Sequence, residues 1–114
     1  MRPKRPRAAR YPFKAPVVLT NLDTDQTSRH STKDLSLFGC HIVPGTCTPA
    51  ETPVRIKIAY KSHLFEAFGR LTDLRKNGGA GIAFTKIEQR HQWILDEWIA
   101  ELRNANAEII LQDV

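Results

Sequence analysis

The sequence predicts a mainly β protein, a six-stranded antiparallel β-barrel closed by one C-terminal α-helix. Three observations carry that expectation. Short β-branched or alternating runs recur at roughly even spacing from Val17 to Phe84, divided by polar or glycine-bearing turns. No helical crossover lies between them, so neighbours pair antiparallel and the sheet hides its edges by closing. Helical periodicity appears only once, at the end of the chain.

The chain begins with an arm over residues 1–13 in which three of the seven prolines alternate with arginines. Such a segment cannot form a helix and buries little, so it is expected to be extended and mobile. Val17-Val18-Leu19-Thr20 is the first strand by its β-branched content. Asn21 to Gln26 is polar and turn-like, and Thr27 to Leu35 returns as the antiparallel partner. Gly39 to Val43 forms a third strand, ended by Pro44-Gly45. Val54 to Tyr60 alternates apolar and basic residues strictly, the pattern of a strand with one buried and one wet face. Lys61-Ser62-His63 connects it to a long strand, Leu64 to Leu74, in which Gly69 marks a bulge. Asn77-Gly78-Gly79 is a hairpin turn, and Ala80 to Phe84 is the sixth strand.

From about Glu88 the reading becomes helical. Ile87, Ile94, Leu95, Trp98, Ile99 and Leu102 fall on one face, expected to cover an open end or side of the barrel. Trp93 falls on the opposite side, either as partly exposed surface or as a contact with another chain. The barrel and helix occupy residues 14–104 and a tail follows at 105–114. There Ile109-Ile110-Leu111 extends the helix, packs back on the barrel or binds a partner.

Charge is unevenly placed. Arg2, Lys4, Arg5, Arg7, Arg10 and Lys14 fall within the first fourteen residues with no acid among them. The other 11 basic and 12 acidic residues leave the body close to neutral. That asymmetry points to an anionic partner at the arm. Cys40 and Cys47 make neither a CxxC pair nor a metal cluster, so both are expected reduced and structural. No apolar run is long enough to span a membrane and the basic start has no h-region, so the expected setting is cytoplasmic.

One stretch stands out chemically: Asp34-Leu35-Ser36-Leu37-Phe38-Gly39. Residues two apart on a strand share a face, so Asp34 and Ser36 are expected on one side. Gly39 lets backbone approach a ligand where a Cβ would clash. The result is a small polar platform, although the same residue types also make an ordinary turn. Enzymatic readings find little support. Asp34, Ser36 and His41 lie too close along one strand for a triad, and no elbow motif surrounds the serine. His30, His41, His63 and His91 lack metal-ligand spacing. Asn77-Gly78-Gly79-Ala80-Gly81 precedes a strand, not a helix, so it is no phosphate loop.

With the arm ending in Arg10-Tyr11-Pro12-Phe13, the DLSLFG stretch about two dozen residues on, and a closing GAGIAF strand before the helix, the sequence resembles the PilZ domain family. Its members bind the bacterial second messenger cyclic di-GMP. The resemblance implies a PilZ-like six-stranded barrel with a C-terminal helix and a D/N-x-S-x-x-G motif carried by Asp34, Ser36 and Gly39. The family's other motif, R-x-x-x-R, is altered. Arg10 matches its second arginine, but Pro6 stands four residues earlier, flanked by Arg5 and Arg7. The ligand-binding set implied is Arg5, Arg7, Arg10, Asp34, Ser36 and Gly39. Cyclic di-GMP is then the ligand, with no cofactor, metal or enzymatic activity, and the output acts in trans on a protein effector.

The chemistry fits those residue types. A guanidinium can pair bidentately with phosphate or with guanine O6 and N7, and it can stack on a base. A carboxylate can accept from guanine N1–H and N2–H, and a hydroxyl can bond phosphate or a guanine edge. Two other readings compete. One keeps the fold as a degenerate PilZ-like interaction module that does not bind the nucleotide. The other is nucleic-acid binding through the RPKRPR arm, opposed by the lack of a positive face on the body and of aromatics interleaved with basic residues beyond Tyr11 and Phe13.

Overall fold

A computed structural model of the chain describes residues 9–46, 48–74 and 79–112. Arg5, Arg7, Cys47 and the Asn77-Gly78 part of the expected hairpin turn lie outside the described residues.

Seven strands and one helix are formed by these residues: β1 (Tyr11–Pro12), β2 (Pro16–Asn21), β3 (Thr27–Leu35), β4 (Gly39–Val43), β5 (Pro53–Tyr60), β6 (His63–Leu74), β7 (Ala80–Lys86) and α1 (Gln89–Gln112). The six long strands run β3-β2-β5-β6-β7-β4 around the sheet, and β4 pairs back onto β3, so the barrel is closed. Every pairing is antiparallel. The predicted six-stranded barrel with a C-terminal helix is therefore present, with one short strand added at its start.

Alternation sets the core. Val17 and Leu19 of β2, Ile56 and Ile58 of β5, and Cys40 and Ile42 of β4 point inward and are buried. The expected bulge at Gly69 is found as a register shift between Phe68 and Gly69. A Cβ at Gly69 would stand 2.5 Å from the Ala83 carbonyl oxygen, so β6 and β7 can lie this close only with glycine there. The helical stripe closes the barrel: Leu95, Trp98 and Ile99 are buried, and Ile94 and Leu102 pack at its margins. His91 fastens the first turn of α1, its Nδ1 accepting the Glu66 N–H of β6 at 3.1 Å. The helix runs on to Gln112, which selects helix extension for the backbone of 105–112.

The added strand revises the reading of the arm. Tyr11 and Pro12, taken from sequence as the end of a mobile segment, pair with Leu35 and Asp34 of β3. Phe13 is only 5% exposed, its ring packed 4.7 Å from Tyr60 and 5.6 Å from Trp98. Thr32 completes the attachment. Its hydroxyl donates to the Phe13 carbonyl at 2.6 Å and accepts the Ala15 N–H at 2.8 Å. Pro12 gives no strand signal because it has no N–H, yet a proline is acceptable in so short an edge segment.

Candidate functional site

β1 brings the root of the basic arm beside Asp34, and Arg10 is the residue just before it. Its side chain reaches β4, with Nη1 2.6 Å from Nδ1 and 3.1 Å from Nε2 of His41. His41 stands directly opposite Asp34 across the β3–β4 ladder. The Asp34 carboxylate contacts His41 Nδ1 at 2.9 and 3.0 Å and accepts the His41 backbone N–H at 3.0 Å. The carboxylate of Asp34 is placed to accept from Nδ1 when the imidazole carries its proton there, while the Arg10 guanidinium, a donor only, lies against both ring nitrogens.

The imidazole is therefore a buried bridge between a cation and an anion. His41 is 4% exposed, while Arg10 is exposed and the Asp34 side chain retains 22% of its surface. Only Nη1 of Arg10 makes a hydrogen bond among the described residues; the rest of the guanidinium makes none there. Gly81 faces His41 across the β4–β7 ladder, and a Cβ there would meet Thr72 Oγ1 at 2.5 Å and the imidazole at 3.5 Å. Glycine at 81 thus makes the room that the imidazole and Thr72 occupy.

Ser36 behaves differently from a free hydroxyl on a wall. It lies one residue past β3 and is 4% exposed. Its Oγ accepts the N–H groups of Phe38 and Gly39, both at 3.2 Å, and donates to the Gly39 carbonyl at 3.2 Å. The strand alternation that put Asp34 and Ser36 on one side stops at Leu35, where the turn begins. Gly39 is set by packing: a Cβ there would collide with the Ile82 carbonyl oxygen of β7. The structure thus brings Arg10 and Asp34 together through His41, and it uses Ser36 and Gly39 to shape the adjoining turn.

The inward neighbour of His41 is Cys40. Burial pushes its thiol far above the ordinary cysteine range; Asp34 pushes the same way and Arg10 opposes it. Among the described residues no group of histidine, cysteine and acidic side chains is arranged to hold a metal. No described helix is long and apolar enough to cross a membrane.

A family model described as PilZ domain matches residues 3–101. The chain belongs to the PilZ domain family. Its fold is shared with the PilZ domain of CeSA from a cellulose-synthesizing bacterium, at a TM-score of 0.70 and 20% identity over 84% of this chain and 99% of that one. The Bacillus subtilis inhibitor of motility MotI/DgrA superposes at a TM-score of 0.72 and 14% identity, covering 93% of this chain and 54% of that one. The PilZ domain of YcgR from Escherichia coli, solved with c-di-GMP, superposes at 0.69 and 17% identity, covering 94% and 98%. No curated protein matches the chain.

The role of His41 escaped the sequence reading, which saw four scattered histidines. A signal was present. If β3 and β4 form a hairpin with Leu35 opposite Cys40, Asp34 must face His41, and a carboxylate opposite an imidazole is a pair by construction.

Proposed function

We propose that this PilZ protein is a cyclic di-GMP receptor whose arginine arm closes over the nucleotide at the corner of Arg10, His41 and Asp34. The observation that carries the reading is the β1–β3 pairing, which fixes Arg10 at the root of the arm beside Asp34. Arg10 offers the rest of its guanidinium to a phosphate or guanine edge, and Asp34 offers carboxylate lone pairs to guanine N–H groups. Arg5 and Arg7 supply further guanidinium contacts as the arm folds down, and the Ser36–Gly39 turn shapes the floor. That a related fold, the YcgR PilZ domain, was solved with c-di-GMP supports the choice of ligand.

Magnitudes favour this arrangement over a wholly free arm. Ordering five arm residues costs about 5–10 kcal/mol. A charge-assisted hydrogen bond returns about 1.5–3 kcal/mol net, so several contacts are needed. Tyr11 to Phe13 are already held by β3 and the core, so their share of that cost does not fall on the ligand.

The protein is then a switch and not an enzyme. Its ligand is bound and released unchanged, and the ordered, neutralised arm offers an altered surface to a protein effector acting in trans. The second reading, an interaction module that does not bind the nucleotide, is favoured by the altered R-x-x-x-R spacing. Isothermal titration with cyclic di-GMP separates the two. The wild type is expected to bind, and Arg10→Ala to bind at least tenfold more weakly, since it removes a charge-assisted contact worth about 1.5–3 kcal/mol. Equal affinities for the two proteins would refute the clamp, and no heat from either would select the non-binding module.

A further inference from the structure

We propose that the groove between the Ser36–Gly39 turn and the start of α1 is a self-docking surface that receives Trp93 of a second copy of this chain. The groove measures about 300 Å³, is walled by Leu37, Phe38, Phe84 and Ile87, and carries Lys86 and Asp96 on its rim. Phe38 is 66% exposed and Trp93 64%, the two highest values for large apolar side chains among the described residues. Exposed apolar side chains gathered beside an apolar groove mark an interaction surface, and aromatic residues are the side chains that anchor such contacts. Trp93 is not part of the groove wall. It precedes Asp96 by three positions on α1, so the two stand side by side on the helix surface.

One patch therefore holds both an apolar knob and an apolar hole. An isologous pair needs that self-complementarity, because a two-fold axis seats each Trp93 in the other copy's groove at the same time. The rim charges agree. The axis sets Lys86 of one copy against Asp96 of its partner, twice, and leaves the patch neutral as a whole. A nucleic acid or an anionic surface would find no excess positive charge here, while a copy of this chain finds each charge opposed. Asp96 is also held in position, its Oδ1 accepting from Gln92 Nε2 at 2.9 Å. None of the residues varied below belongs to the Arg10–His41–Asp34 corner, and the measurement is made without nucleotide, so its outcome does not depend on whether the nucleotide binds.

Sedimentation velocity over a range of protein concentrations tests the proposal on the full chain. The wild type is expected to shift from a 12.9 kDa monomer toward a dimer as concentration rises. Trp93→Ala is expected to weaken association at least tenfold, and Lys86→Glu or Asp96→Lys alone to weaken it similarly. An equimolar mixture of the Lys86→Glu and Asp96→Lys proteins should recover the dimer, since each then meets its opposite charge across the interface. Circular dichroism checks that each variant stays folded; Trp93, Lys86 and Asp96 are surface positions. A wild type that remains monomeric at every concentration would overturn the proposal. So would association unchanged by Trp93→Ala, or single charge variants whose mixture recovers nothing.

Discussion

Ser36 shows how one side chain can carry a motif while facing inward. Its hydroxyl serves three backbone groups of the turn it begins, and almost none of its surface is exposed. Ser36→Ala therefore strips two N–H groups of their acceptor, and the expected loss is about 1–3 kcal/mol of folding stability. Urea denaturation measures it through the shift in midpoint at unchanged slope. Affinity for cyclic di-GMP, titrated where the variant is fully folded, should fall much less than for Arg10→Ala. A variant as stable as the wild type but deaf to the nucleotide would instead make Ser36 a direct ligand contact. His41 is the complementary case. Its backbone position is unremarkable in sequence, and its importance comes from what faces it across the ladder, Asp34 on one side and Arg10 on the other.

At the scale of elements, β3 organises the site because it is shared. Its first half pairs with β2, and its end pairs with both β1 and β4. Thr32 sits where these pairings meet, bonded to Phe13 and Ala15. Thr32→Val keeps the shape and removes the hydroxyl, leaving a buried C=O and a buried N–H without that partner. We expect a stability loss of about 1–3 kcal/mol and faster amide exchange at Phe13 and Ala15. Arg10, released with β1, should lose its contribution to nucleotide affinity. Unchanged exchange at those amides would show that β1 is held by something other than Thr32. This element also marks the limit of what the chain reveals unaided. The long strands were legible because a buried and a wet face impose period two on Val54–Tyr60 and its neighbours. β1 was not, because two residues, one a proline, carry no period and are fixed by tertiary contacts: the pairing with β3, the Thr32 hydroxyl, and Phe13 packing on Tyr60 and Trp98. Asp34, Ser36 and Arg10 were legible as chemical types, but whether each side chain faces solvent, a turn or a neighbouring strand depends on register, and register is a tertiary fact.

For the molecule as a whole, β4 couples the candidate site to the core. His41 faces the arm, while Cys40 and Ile42 on either side of it are buried in the barrel. The Cys40 thiol records that coupling as a dependence of stability on pH. Burial, first, and then Asp34 push its ionisation far upward in the folded state, with Arg10 partly offsetting them. In the unfolded chain a cysteine ionises near ~8.5. Below that pH both states hold the proton and the thiol adds no pH dependence. Above it the unfolded chain releases a proton that the folded chain keeps, so the unfolded state is favoured and stability falls as pH rises. The slope approaches about 1.4 kcal/mol per pH unit once the unfolded thiol is fully ionised. Urea midpoints measured from neutral pH upward should therefore fall more steeply for the wild type than for Cys40→Ala, with the two curves diverging only above the unfolded thiol's range. Other titrating groups contribute equally to both proteins and cancel in the difference. Parallel curves would mean that the thiol ionises as readily inside the barrel as outside it, and that β4 does not hold Cys40 against the core in the way that also fixes His41 between Arg10 and Asp34.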